Sequence, residues 1–304
     1  MKRSMKLRCH AKINLSLDVT GKREDGYHTL ESIFQSVTVY DILTVSVQDG
    51  SGIVLRCSVP GLPCDERNLA YRAAQAMLEA SGKKCRITMH LQKHIPSGAG
   101  MGGGSADAAG VLFALNKLMD CGFSNEKLRE IGIKLGADVP FLLLGGTALA
   151  QGIGEILTPL RSLPKLPVVL LKGRQGISTP KAYAAIDALE APFHPDTAQM
   201  LRAVETQDID LLAKHCGNTF EEAAALADVE RAKAALLEDG AKCAVMTGSG
   251  SAVFGIFPDK QSADACAEKR RTEFVFAQSC ITTAEPQRVL PARRPPRRNR
   301  YRKR

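Results

Sequence analysis

The residues best suited to chemistry lie in IPSGAGMGGGSADAA, residues 95 to 109. Between Gly98 and Gly104 five of seven positions are glycine, and a helix-forming run follows at once. Glycine loses more backbone entropy on folding than any other residue, so a chain clusters it where backbone must turn tightly or come close to something. One or two glycines suffice for a sharp strand-to-helix reversal, and five point to a close approach. Gly98, Gly100 and Gly103 satisfy G-x-G-x-x-G, but no second strand leads to a ribose-binding acid after the helix. Asp120 falls at the right distance, flanked only by CGFSNEK and another helical run. A Walker loop fails because no Gly-Lys-Ser/Thr closes the motif. There remains a phosphate cradle of another kind. Free N–H groups from Gly100 to Ser105 converge on an anion, and the positive end of the following helix adds to the attraction. Ser105 is expected to cap that helix and to offer its hydroxyl to a phosphate oxygen or a metal ion.

Phosphoryl transfer asks a protein mainly to position two reactants and to neutralise charge on the moving group. A carboxylate that accepts the acceptor hydroxyl's proton helps further. Asp138, set in a turn between a helix and Pro140, is the candidate carboxylate, and Lys12 the candidate cation. Taken singly, they read as an ordinary helix-terminus aspartate and a solvated edge lysine. Asn14 shares the strand face of Lys12. REDGYH carries an Asp25-Gly26 turn followed by Tyr27 and His28, an aromatic face and a hydrogen-bonding edge of the kind that reads an unpaired base. TGSGS, Thr247 to Ser251, is by itself a hairpin turn.

The elements that must position these residues follow from periodicity. HAKINLSL, residues 10 to 17, alternates strictly and predicts a half-buried strand, with Ala11, Ile13, Leu15 and Leu17 on the apolar face. SIFQSVTVYDILTVSV predicts one or two strands, NLAYRAAQAMLEASG a helix stopped by Gly82, and CRITMHLQ another strand. The glycine loop therefore joins a strand to a helix, SADAAGVLFALNKLMDCG, which is expected to end at Gly122. SNEKLREIGIKLGA predicts a second helix that delivers Asp138. Three prolines cluster between residues 157 and 167 and suggest a boundary. A strand (VVLLK), a helix after Ser178-Thr179-Pro180, helices through 196 to 237 and two strands flanking MTGSGSAVFGIF follow.

With 304 residues and 44% hydrophobic content, the chain can bury two cores. No run approaches the roughly 18 apolar residues of a membrane span, so no membrane role is expected. The basic start, MKRSMKLRCHAKINL, has no apolar segment and reads as no secretory signal. Nine cysteines at irregular spacings, with no CxxC pair, argue against a zinc ribbon or a disulfide framework and for a cytoplasmic protein. The net charge of +9 is local: ARRPPRRNRYRKR, residues 292 to 304, holds eight positive charges, and without them 33 Lys and Arg face 32 acids. Such a run is expected to be disordered, and it is the one segment that could touch nucleic acid.

PSGAGMGGGSADAA resembles the ATP-binding motif of the GHMP kinases. AKINLSLDVTGKREDGYHTLESIF, LGADVPFLL and MTGSGSAVFGIF resemble further motifs of one branch of that family, in order, from residue 11 to about 257. The resemblance implies an α+β, two-domain fold. An ATP-binding domain would span 1–160, a ferredoxin-like domain 161–287 and a basic tail 288–304, with the active site between the domains. It implies an ATP- and Mg²⁺-dependent kinase of the non-mevalonate isoprenoid route that phosphorylates the 2-hydroxyl of 4-diphosphocytidyl-2-C-methyl-D-erythritol. Another GHMP kinase, such as a homoserine kinase, or a binding protein on this scaffold stands as the alternative, and monomer and homodimer both stay open.

Residue by residue, the resemblance places Asp138 as base, paired with Lys12 as charge stabiliser. Lys93 would border the adenine. Pro96, Ser97, Gly98, Ala99, Gly100, Met101, Gly102, Gly103, Gly104, Ser105 and Ala106 would form the nucleotide loop. Asn14, Tyr27, His28, Thr179, Tyr183, Gly248, Ser249 and Gly250 would meet the acceptor, with Tyr183 on the face of the base opposite Tyr27. No residue is assigned as a metal ligand. The chain departs from the family pattern in having Ser97 and Ala99 where a further glycine is common and Ala106 where a second serine is common.

Overall fold

The structure is a computed structural model that describes residues 2–291, so the expected tail from residue 292 lies outside the described residues. Its strands form two sheets. The eight-stranded sheet holds β1 (Arg3–Lys22), β2 (His28–Gln48), β3 (Ile53–Cys57), β4 (Arg86–Gln92), β5 (Thr147–Gln151) and β6 (Ile156–Pro159), joined by β8 (Gly217–Asn218) and β12 (Gln287–Val289). The four-stranded sheet holds β7 (Pro167–Lys172), β9 (Cys243–Met246), β10 (Ala252–Ile256) and β11 (Phe276–Ile281). The helices are α1 (Leu69–Ser81), α2 (Gly103–Leu118), α3 (Asn125–Ile133), α4 (Val139–Leu144) and α5 (Thr179–Ile186), followed by α6 (Thr197–Thr206), α7 (Ile209–His215), α8 (Phe220–Ala224), α9 (Ala227–Glu238) and α10 (Lys260–Arg270).

The spine is the antiparallel pair β1–β2, which runs from Arg3↔Val47 to Lys22↔His28 with register shifts near Ala11, Ser16 and Gly21. SIFQSVTVYDILTVSV is therefore part of one strand. The odd side chains Leu7 to Leu15 are fully buried, as the alternation predicts. The even face is not solvated as a half-buried strand requires, since His10, Lys12, Asn14 and Ser16 are also buried. Distant segments cover it: the Glu285 carbonyl meets His10, Thr247 meets Asn14, and β8 pairs with Ser16 and Leu17. That β8 pairing also interrupts the predicted helical stretch. Arg288 and Val289, expected within the tail, pair instead with Arg8 and Leu7.

The second sheet has the order β11-β7-β10-β9, all antiparallel, with α9 before β9 and α10 before β11. This is the split βαβ arrangement of ferredoxin-like domains. Strand alternation gives it two jobs. Val169, Leu171, Val253 and Met246 pack with α9 and α10 residues, whereas Val168, Leu170, Phe254 and Val245 join the core of the larger sheet. The two halves therefore share one continuous core.

The free ends of α9 and α10 are tied by charge. Arg270 donates two hydrogen bonds to Asp239, at 2.7 and 3.0 Å, and both side chains are buried. Burial opposes ionisation of Asp239, but the cations Arg270 and Lys269 outweigh it and hold the carboxyl at about 2. A depressed carboxyl stabilises the fold above its unfolded value near 3.8 and ceases to do so as pH falls through 2. Asp239→Asn is expected to cost about 2 kcal/mol at pH 7 and much less at pH 2, checked by urea unfolding at both.

Candidate active site

The glycine loop leaves β4 and meets the protein in alternation. Ala99 and Met101 are buried anchors, while Gly98, Gly100 and Gly102, at φ of 60°, 73° and 68°, face a cavity of about 400 Å³. Glycine is required at two of these points. A Cβ at Gly100 would lie 1.9 Å from the Thr247 carbonyl oxygen, and one at Gly102, strained already by its φ of 68°, would press on Leu142 Cδ1 at 3.2 Å. The loop is anchored to the rest of the chain by Lys12 N–H to the Met101 carbonyl (3.2 Å) and Ala252 N–H to the Ala99 carbonyl (3.2 Å).

Gly102, not Ser105, occupies the N-cap of α2. A left-handed glycine already turns the chain, so Gly103 and Gly104 enter the helix and Ser105 stands in its third position, its side chain at the cavity. At the other end α2 stops at Leu118, four residues short of Gly122, where Asp120 takes φ 49°.

Asp138 is held by backbone. Its residue occupies the N-cap of α4 without a side-chain cap bond, its carbonyl accepts from Leu142 N–H at 3.0 Å, and the carboxylate is left facing the cavity, a third exposed. Lys12 Nζ lies 3.7 Å from Asp138 Oδ1, over the Phe34 ring at 4.8 Å. It donates to Asn14 Oδ1 at 2.8 Å. Asn14 borders the cavity, and its amide also ties neighbouring segments together. Oδ1 also accepts from Gly248 N–H (2.9 Å) and Thr247 Oγ1 (3.2 Å), and Nδ2 donates to Ser32 (2.8 Å). Asn14 thus also fastens Lys12 to the second glycine loop.

That loop, Thr247 to Ser251, joins β9 to β10 and closes the cavity with Gly248, Ser249 and Gly250. Asn218, which sequence reasoning passed over, donates to the carbonyls of Met246 (2.7 Å) and Gly248 (2.9 Å) and so sets its height. Thr179 Oγ1 meets Ser249 Oγ at 3.0 Å.

Two further spaces adjoin the central cavity. A cleft of about 530 Å³ shares Ala137, Ile153, Thr179 and Tyr183 with it and reaches Tyr27, His28 and Asp187. Tyr27 follows the Gly26 turn and is 63% exposed. His28 differs from expectation: its ring stacks on Tyr183 at 4.5 Å and 15°, and its Nε2 meets Asp187 at 2.6 Å. The imidazole therefore covers one face of the Tyr183 ring, and both rings line the cleft. Burial pushes the Tyr183 hydroxyl up, and the Asp138 carboxylate adds to it. On the other side, a space of about 220 Å³ is lined by Lys93 and residues Ile95 to Gly104. The Lys93 ammonium is not free there, because it pairs with the buried Asp41 and Asp107.

Two family models match this chain, GHMP kinases N terminal domain over residues 68–146 and GHMP kinases C terminal over 200–275. The chain belongs to the GHMP kinase family, and as such it is an ATP-using kinase of small molecules. A 4-diphosphocytidyl-2-C-methyl-D-erythritol kinase of Clostridium botulinum (strain Eklund 17B / Type B) is 41% identical over 273 residues, 89% of this chain and 97% of the relative. The enzyme of that name from Caldicellulosiruptor bescii is 40% identical over 92% of this chain and 97% of its own. A crystal structure of 4-(cytidine 5'-diphospho)-2C-methyl-D-erythritol kinase superposes with a TM-score of 0.79 at 34% identity, covering 94% of this chain and all of that one. A homoserine kinase from Cytophaga hutchinsonii shares the fold, with a TM-score of 0.75 at 19% identity over 95% of this chain and 98% of its own. Among the described residues no helix is long and apolar enough to cross a membrane.

Proposed function

We propose that the chain transfers the γ-phosphoryl group of ATP to the 2-hydroxyl of 4-diphosphocytidyl-2-C-methyl-D-erythritol, in the non-mevalonate route to isoprenoid precursors. The observation that carries this is the Lys12–Asp138 pair facing one cavity beneath the glycine loop, with an aromatic cleft opening beyond it. The names of the relatives at about 40% identity support the choice of acceptor. In this reading the nucleotide enters by the Lys93 side and its phosphates lie against Gly98 to Ser105. The acceptor hydroxyl sits at Asp138, which takes its proton, while Lys12 stabilises charge on the transferring group. Gly248 to Gly250 close over the phosphates, and the cytosine lies against Tyr27.

Mg²⁺ belongs to the proposal as the nucleotide's companion. Among the described residues no group of three or more His, Cys, Asp or Glu side chains could cage an ion. The cation would keep several waters and bind through the substrate phosphates, where it would neutralise their charge. The nine unpaired cysteines support a reducing, cytoplasmic setting.

The direct test is ATP consumption with the diphosphocytidyl alcohol, homoserine, mevalonate and galactose in parallel. Turnover confined to the first supports the proposal; turnover of homoserine instead would replace it. Tyr27→Ala adds a finer check: loss of base stacking should raise the acceptor KM about tenfold and leave the ATP KM unchanged. An unmoved acceptor KM would remove Tyr27 from the pocket.

A further inference from the structure

Beneath the glycine loop lies a cluster of charges that the transfer step does not use. Lys93 Nζ donates to Asp41 and, at 2.6 Å, to Asp107, and all three side chains are almost wholly buried. Each comes from a different element: Asp41 from β2, Lys93 from the exit of β4, and Asp107 from the second turn of α2. The remaining oxygen of Asp41 accepts from the backbone N–H groups of His94 (2.5 Å) and Ile95 (2.9 Å), the residues that lead into Pro96. The remaining oxygen of Asp107, Oδ1, is buried without a partner. The two carboxyl groups share the one Lys93 ammonium.

One ammonium cannot balance two buried carboxylates, and an ionised oxygen with no donor is costly where water is excluded. Asp41 has three N–H donors around it, which suit a carboxylate. Asp107 has one donor and a carboxylate neighbour, which suit a carboxylic acid. We infer that the cluster retains one proton, on Asp107, and that Asp41 is its charged member and the positioning residue of the glycine loop. Burial, with Asp41 beside it, pushes the Asp107 carboxyl up to about 8 against the pull of Lys93, in line with this assignment. Cys9 of β1 also faces the cluster, its thiol raised well above the ordinary value by burial and by the two carboxyl groups. Asp41 thus fixes where the loop begins and, through Lys93, the helix whose N-terminus completes it.

The inference rests on the loop being a nucleotide cradle, and its test separates the two ideas. ADP binding and the KM for each substrate are measured for Asp41→Asn and Asp107→Asn, together with infrared spectra of the carboxyl region at pH 7. Asp107→Asn, an amide for a neutral acid, should leave ADP affinity within about twofold. Asp41→Asn should weaken it about tenfold or more while moving the acceptor KM little. The wild type should show a protonated carboxyl band that Asp107→Asn removes. Equal damage from both variants, or no such band, overturns the inference. If Asp41→Asn does not fold, the band and the tolerance of Asp107→Asn decide. Failure of the wild type to bind ADP would instead overturn the cradle reading, and the band would still report the proton.

Discussion

Asp138→Asn is expected to lower kcat about a thousandfold and leave the ATP KM and the melting temperature nearly unchanged. The carboxylate makes no helix-cap bond and is a third exposed, so an amide of the same shape leaves the start of α4 and its packing intact. What it removes is the negative partner of Lys12 and, in the proposed mechanism, the proton acceptor. The ammonium keeps its bond to Asn14 and its place over Phe34, so the cavity does not collapse around an unpaired buried cation. Steady-state kinetics beside thermal unfolding check both halves of the claim. A loss under about tenfold would show that Asp138 positions but does not accept the proton. A large fall in melting temperature would show that the residue had been structural.

How Asp138 and its partners are held marks the limit of what local pattern reveals. The alternation of HAKINLSL showed a strand and placed Lys12 and Asn14 on one face, because strand geometry has a fixed period. It could not show that this face is buried, since the covering groups, Asn218, Thr247 and Pro286, lie some 200 residues or more further on. Ser105 looked like a cap because serine before a helical run usually is one; the left-handed turn at Gly102 had already done that work. Asp41 sits within SIFQSVTVYDILTVSV with no local partner to mark it, and only the fold brings Lys93 and Asp107 to it. The same holds for Asp187 beneath His28. Elements are set by neighbours in sequence, whereas the partners of a buried charge are set by topology.

Gly100→Ala is the substitution that should break both stability and activity. An added Cβ would stand 1.9 Å from the carbonyl oxygen of Thr247 and 2.8 Å from its carbon, and those are backbone atoms of a loop itself pinned by Asn14 and Asn218. Neither side can yield cheaply. The φ of 73° adds strain for any residue with a side chain. Together these are expected to cost about 2–4 kcal/mol, in the range of backbone strain plus overpacking. Gly98→Ala is the internal control: its φ of 60° carries the same backbone penalty, but nothing lies within 4 Å of the new atom. It should cost only about 1 kcal/mol. Denaturant unfolding and turnover of the pair would separate the two causes, and equal losses would show that the clash is relieved by movement. The contact matters because Gly100 belongs to the loop that follows β4 of the larger sheet and Thr247 to the hairpin of the smaller one. Phosphoryl transfer needs its reactants held to within a fraction of an ångström, and the close approach of these two backbones helps to hold the two halves of the molecule in register.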